Sequence, residues 1–148
     1  MILNIDFDGT CVSHEFPSVG KDIGAVPVLK RLVSNGHNLI LFTMRGDRFE
    51  KKDTKDESIQ NVTGLFLTDA INWFKENGIP LYGIQTNPTQ HNWTTSPKSY
   101  AHMMIDDTAL GCPLRLNQDI SERPYADWVT IEEWFDNMGM FKNEQIIK

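Results

Sequence analysis

The 148-residue sequence predicts an α/β fold built on a parallel sheet. Three features carry that prediction. Apolar runs of strand length alternate with stretches of helical spacing, in the order strand, helix, strand, helix, strand, loop, strand. The run at 38–42, Asn-Leu-Ile-Leu-Phe, is apolar almost throughout, as a strand covered on both faces requires. The unusual polar residues fall where strands should end: Asp6 and Asp8 after the first, Thr43 after the second, Asp106 and Asp107 after the fourth. In parallel α/β sheets ligands bind outside the carboxyl ends of the strands.

The first strand, with Ile2, Leu3 and Ile5, runs directly into Asp6-Phe7-Asp8-Gly9-Thr10. Residues two apart on a strand face the same way, so Asp6 and Asp8 point toward one region beside the sheet edge. A calcium loop is excluded by spacing, because position twelve counted from Asp6 is Pro17 and a strand, not a helix, precedes the loop. Residues 12–23 form a loop rich in Ser, Pro and Gly that contains His14. Residues 25–35 place Val28, Leu29, Leu32 and Val33 on one helical face, closed by Gly36. After the strand at 38–42 come Thr43-Met44-Arg45-Gly46 and a charged stretch without period, 47–61, expected as an exposed loop. Helical spacing returns at 63–77 through Leu67, Ala70, Ile71 and Phe74, closed by Gly78. Residues 80–84 predict the third strand, 85–97 a polar loop, and 101–105 the fourth strand. Gly111-Cys112-Pro113-Leu114 suggests a turn into a short fifth strand, and 130–138 a terminal helix with Thr130 as N-cap and Glu133 completing a capping box.

Composition narrows the function classes. The length suits one domain with a sizeable core. A net charge of −6 without any Lys/Arg block disfavours a nucleic-acid backbone as partner. Cys11 and Cys112 lack disulfide or zinc spacing, which suits free thiols in a reducing compartment. No run is long enough to span a bilayer, and Met1 opens straight onto a strand without a signal-like region. A cytoplasmic protein that does not use a membrane is expected.

Carboxylates gathered at one place repel each other, at about 4 kcal/mol per pair for a separation of ~4 Å and an effective dielectric of ~20. Asp6, Asp8, Asp106 and Asp107 together therefore imply a cation, and an all-oxygen donor set suits Mg2+. A metal-bound phosphoryl group then has Asp6 as a candidate nucleophile and Asp8 as general acid and base. Thr43 offers a hydroxyl to the phosphate, Lys98 a cation eight residues before Asp106, and Arg45 a further substrate contact.

Asp-Phe-Asp-Gly-Thr after an apolar strand, a second strand ending in Thr43, Lys98 upstream, and Met-Met-Ile-Asp-Asp at 103–107 resemble the four motifs of the haloacid dehalogenase (HAD) superfamily, in order and over most of the chain. The resemblance implies a Rossmannoid three-layer sandwich with parallel strand order 3-2-1-4-5. It implies Asp6 as nucleophile, Asp8 as acid/base with its carbonyl on the metal, Asp106 as a magnesium ligand and Asp107 as an auxiliary one. The second Asp of the first motif resembles the phosphatase and phosphotransferase branch, so dehalogenation is not expected. No large cap fits: one domain over 1–148 leaves a flap at about 9–24 and a loop insertion at about 44–62. An open cleft of this kind predicts a bulky substrate or a neighbouring subunit that closes the site.

The expected function is thus a Mg2+-dependent phosphatase acting through an aspartyl-phosphate on a phosphorylated small molecule or phosphorylated polymer end. The same intermediate also serves a phosphotransferase, and a phosphate- or metal-binding module without catalysis is the rival of a different class. Among single residues, His14 reads as an exposed loop histidine, Asn87 as a polar wall of the site, and Trp93 as a stacking surface. Trp73, Trp128 and Trp134 read as core, and Cys11 as a small packing residue.

Overall fold

The computed structural model describes residues 1–50 and 62–146. Its main sheet has four parallel strands: β1 (Ile2–Ile5), β2 (Asn38–Leu41), β5 (Gly83–Ile84) and β6 (Met103–Ile105), in the order β5-β2-β1-β6. Three helices, α1 (Ala25–Ser34), α2 (Phe66–Glu76) and α3 (Trp128–Asn137), complete the α/β fold. Two short antiparallel ribbons stand apart from the sheet: β3 (Asp47–Arg48) with β4 (Gly64–Leu65), and β7 (Leu114–Arg115) with β8 (Tyr125–Ala126).

Register positions the site. Ile5 pairs with Leu41 on one side and with Ile105 on the other, while Leu41 pairs with Ile84. All four strands therefore end level. The ladder continues one residue further, with Asp6 N–H donating to Ile105 O at 3.0 Å, Phe42 N–H to Ile5 O at 2.8 Å and Gln85 N–H to Leu41 O at 2.7 Å. Leu39, Ile40 and Leu41 are all fully buried, so β2 is covered on both faces as its sequence requires.

Helix ends follow local chemistry. Gly36 and Gly78 take left-handed φ values of 86° and 68° just past α1 and α2. In each case the next two amides bond back to the helix, Gly36 to Val33 O and His37 to Leu32 O, Gly78 to Lys75 O and Ile79 to Phe74 O. The terminal helix begins earlier than its sequence suggests. Its N-cap is Asp127, whose carboxylate accepts from the Val129 and Thr130 amides, and Thr130 Oγ1 itself donates to Asp127 Oδ2 at 2.8 Å.

Two further expectations change. The fifth strand does not extend the sheet, because Leu114–Arg115 pairs antiparallel with Tyr125–Ala126. Trp134 is half exposed rather than core, lying on the outer side of α3, whereas Trp128 and Phe135 are buried. Trp73 packs edge-on against Phe7 and Phe74 beside the core. Most of the expected 47–61 loop, residues 51–61, lies outside the described residues, and so does that part of the insertion at 44–62. No helix among the described residues is long and apolar enough to cross a membrane.

Candidate functional site

Because β6 is the neighbour of β1, the residues that follow the two strands meet. One carboxylate oxygen from each of Asp6, Asp106 and Asp107 lies within 4.8 Å of the others. Burial, and then the charge of Asp106, push the Asp6 carboxyl up to about 8. The cluster is thus held with more negative charge than its surroundings neutralise. Hard carboxylate donors in this number suit a small divalent cation in chemistry and spacing.

The turn after β1 is built to hold these groups. Thr10 is fully buried; its hydroxyl lies 3.0 Å from Asp6 Oδ2 and 3.2 Å from Asp107 Oδ1, and accepts the Asp107 amide at 3.0 Å. Trp128 Nε1 donates to the Thr10 carbonyl at 2.6 Å, so α3 braces the same turn from behind. His14 Nε2 lies 2.9 Å from Asp107 Oδ2, with both side chains largely buried. Gly9 has a φ of 82°, and a Cβ there would run into the His14 ring and come within 2.6 Å of Asp107 Oδ2. Asp106 Oδ1 accepts from the Thr108 amide and hydroxyl at 2.9 and 2.7 Å.

The Asp8 carboxylate is not part of this cluster. Both of its oxygens accept from Arg45, from Nε at 2.8 Å and from Nη2 at 2.8 Å. The remaining Arg45 hydrogens go to the carbonyls of Ser18, Pro17 and Phe66 at 2.8, 3.4 and 3.3 Å. That accounts for all five donors of the guanidinium, which also lies near the Phe7 and Phe16 rings. Arg45 was expected at the substrate; its side chain is 1% exposed and fully committed to Asp8 and to the carbonyls of Pro17, Ser18 and Phe66.

A hollow of about 550 Å3 opens over these groups, with Asp6, Asp8, Asp106, Asp107, Thr43 and Arg45 in its wall. Thr43 stands where the sequence placed it, but its polar groups are partly used. Its amide donates to Gln85 Oε1 at 2.9 Å and its hydroxyl accepts the Arg45 amide at 3.1 Å. Gln85, in the left-handed region at φ 65°, also donates to the Thr43 and Arg45 carbonyls.

Lys98 is not in the hollow. The Ser99 beside it is tied to Asn4 in the middle of β1, with Asn4 Nδ2 donating to Ser99 O at 3.0 Å and Ser99 Oγ to Asn4 Oδ1 at 3.2 Å. His102 N–H then donates to Ile2 O, so this segment enters β6 from the amino end of the sheet, while Asp106 leaves at the other end. Lys98 instead lines a separate surface hollow with Trp93, Tyr100 and Met104. Asn87 is likewise buried away from the acids, donating to Tyr100 O at 3.0 Å.

Six residues of the hollow carried little or no sequence signal: His14 and Phe16 on the flap, Met44 and Arg48 after β2, Thr108, and Arg123, sixteen residues beyond Asp107. His14, expected as an exposed loop histidine, is instead largely buried against Asp107.

No protein-family model matches the sequence, and no curated protein matches it. A solved structure described as a conserved protein from Bacteroides thetaiotaomicron is similar, with a TM-score of 0.66 and 29% identity over 93% of this chain and 91% of that one. This likeness supports the α/β fold.

Proposed function

We propose that this protein is a magnesium-dependent phosphomonoesterase of the HAD type, working through an aspartyl-phosphate on Asp6. The observation that carries the reading is the meeting of Asp6, Asp106 and Asp107 at the level carboxyl ends of two adjacent parallel strands. Those three side chains would hold the cation. Bound there, it would supply the positive charge that keeps Asp6 ionised and draws in a phosphate.

The chain's own residues do the rest. Asp6 attacks phosphorus, the phosphorus–oxygen bond to the leaving group breaks, and Asp8 gives that oxygen a proton. Water then attacks the aspartyl-phosphate, losing its proton to Asp8, so that phosphate leaves and Asp6 is restored. Arg45, donating to both Asp8 oxygens, holds that carboxyl in one orientation at the edge of the site. Thr10 keeps Asp6 and Asp107 in register throughout.

Asp6→Asn tests the reading. The variant should fold normally yet release no phosphate from an aryl phosphate ester, and chelation of divalent metal should silence the wild type. Full turnover by Asp6→Asn, or by chelated wild type, contradicts it. Labelled phosphate appearing on an added alcohol instead of in water would assign the phosphotransferase reaction.

A further inference from the structure

Among the described residues, Gln85 is the one residue other than glycine with a left-handed backbone, at φ 65°. Residues with a Cβ rarely adopt this conformation, and where they do the surroundings impose it. Gln85 is the first residue past β5, and its backbone N–H, donating to Leu41 O at 2.7 Å, carries the ladder one step beyond the strand. From there its carboxamide reaches the loop that follows β2.

Both ends of that carboxamide engage the loop. Oε1 accepts the Thr43 amide at 2.9 Å, and Nε2 donates to the Thr43 carbonyl at 2.7 Å and to the Arg45 carbonyl at 3.2 Å. The Arg45 amide donates in turn to Thr43 Oγ1 at 3.1 Å. The backbone amides and carbonyls of the residues on either side of Met44 are therefore all tied, three of the four by one side chain. The Met44 amide and the hydroxyl hydrogen of Thr43 have no acceptor among the described residues. Both residues stand in the wall of the hollow over the aspartates. Adjacent donors on a fixed backbone suit the oxygens of a phosphoryl group.

A loop that merely joins β2 to the β3–β4 ribbon has no use for this arrangement. Thr43 is half-buried and Met44 fully exposed, so water reaches the loop and would satisfy the same backbone groups. What the bonds to Gln85 add is a fixed orientation, held against an unfavourable backbone at residue 85.

We propose that Gln85 is a positioning residue for phosphate: it holds the Thr43–Arg45 backbone so that the Thr43 hydroxyl and the Met44 amide meet the phosphoryl group that Asp6 attacks. This rests on the phosphatase reading above and adds a residue that touches neither cation nor substrate. The Arg45 side chain, anchored to Asp8, Pro17, Ser18 and Phe66, keeps Asp8 in place without Gln85. Loss of Gln85 therefore weakens phosphate binding more than it slows the chemical step.

Two variants test it. Gln85→Gly removes the side chain and relieves the backbone, whereas Gln85→Met keeps the size and the left-handed strain but makes none of the bonds. In both, KM for 4-nitrophenyl phosphate and the inhibition constant of inorganic phosphate should rise together by about tenfold, as for the loss of one or two net hydrogen bonds, with kcat changed by less than about threefold. Mg2+ affinity, measured by calorimetry on the same proteins, should stay at the wild-type value, since none of the Gln85 bonds reaches the aspartates.

Wild-type phosphate binding in either variant overturns the proposal. So does a parallel loss of phosphate and Mg2+ affinity in both, which is what a merely structural role gives. If Gln85→Gly does not fold, Gln85→Met decides on the same readouts, and failure of both to fold assigns Gln85 to stability and overturns the proposal too. The wild type separates the two claims. If it hydrolyses the ester in an Asp6-dependent way and the variants match it, only the role of Gln85 falls. If it neither hydrolyses the ester nor binds inorganic phosphate with Mg2+ present, the phosphatase reading falls and this role with it.

Discussion

Arg45 grips Asp8 through two parallel bonds of 2.8 Å, and the pair joins the turn after β1 to the loop after β2. The arginine side chain is 1% exposed and that of Asp8 20%. A charge removed from such a pair leaves its partner buried and unmatched. Arg45→Met should therefore destabilise the fold by about 3 kcal/mol, read as a shift in the urea midpoint. Adding Asp8→Asn should recover part of the loss, because the stranded carboxylate is then gone. A neutral Arg45→Met would mean that the clamp contributes little to stability.

Asp6 predicts an unusual pH dependence for the metal-free protein. Its folded carboxyl is raised to about 8, above the usual carboxylate value of 3.8. A raised folded value favours the protonated native state, so this stabilising term is complete below about pH 4 and is lost as pH climbs through about 8. Between those limits stability should fall by up to about 1.4 kcal/mol per pH unit from this group. Asp6→Asn should flatten the slope, and added Mg2+ should do the same in the wild type. Denaturation curves at pH 5, 6, 7 and 8 check both.

The convergence of Asp6 with Asp106 was legible in the sequence because alternating strands and helices force a parallel sheet, and parallel strands deliver their carboxyl ends to one side. The same logic fails for Lys98, since nothing in the local sequence reveals that Asn4 ties Ser99 down at mid-strand. Arg45 shows a different limit. Its position after Thr43 was visible, but five bonds to groups as distant as Asp8 and Phe66 are a tertiary fact. At α3, Thr130 and Glu133 satisfied a local capping pattern, yet Asp127 wins because its carboxylate serves two amides. The fifth strand was recognised as extended backbone, but its partner was not, because Tyr125–Ala126 is too short to signal a strand on its own.

Trp128 ties α3 to the turn after β1 through its bond to Thr10 O. Trp128→Phe keeps most of the packing but strands a buried carbonyl, a loss of about 1–3 kcal/mol. Because Thr10 touches both Asp6 and Asp107, phosphatase activity should fall as well. Thermal melts and aryl phosphate turnover measured on the same preparation check the two effects together.

Gly9→Ala should be more damaging to function than its size suggests. The new methyl group meets the His14 ring and Asp107 in a left-handed backbone position that alanine resists. The expected result is a folded protein, destabilised by about 1–3 kcal/mol, with weakened Mg2+ binding by calorimetry. Wild-type affinity for Mg2+ in this variant would argue that Asp107 does not contribute to holding the cation.

The central claim is that Asp6 carries the phosphoryl group, and trapping tests it most directly. Wild-type protein turning over a phosphomonoester with Mg2+ is quenched, reduced with borohydride and mapped by peptide mass spectrometry. Residue 6 should convert from aspartate to homoserine, and should not do so when metal is withheld. Active turnover with residue 6 unmodified, or with the phosphoryl group found on His14 or another side chain, would contradict it.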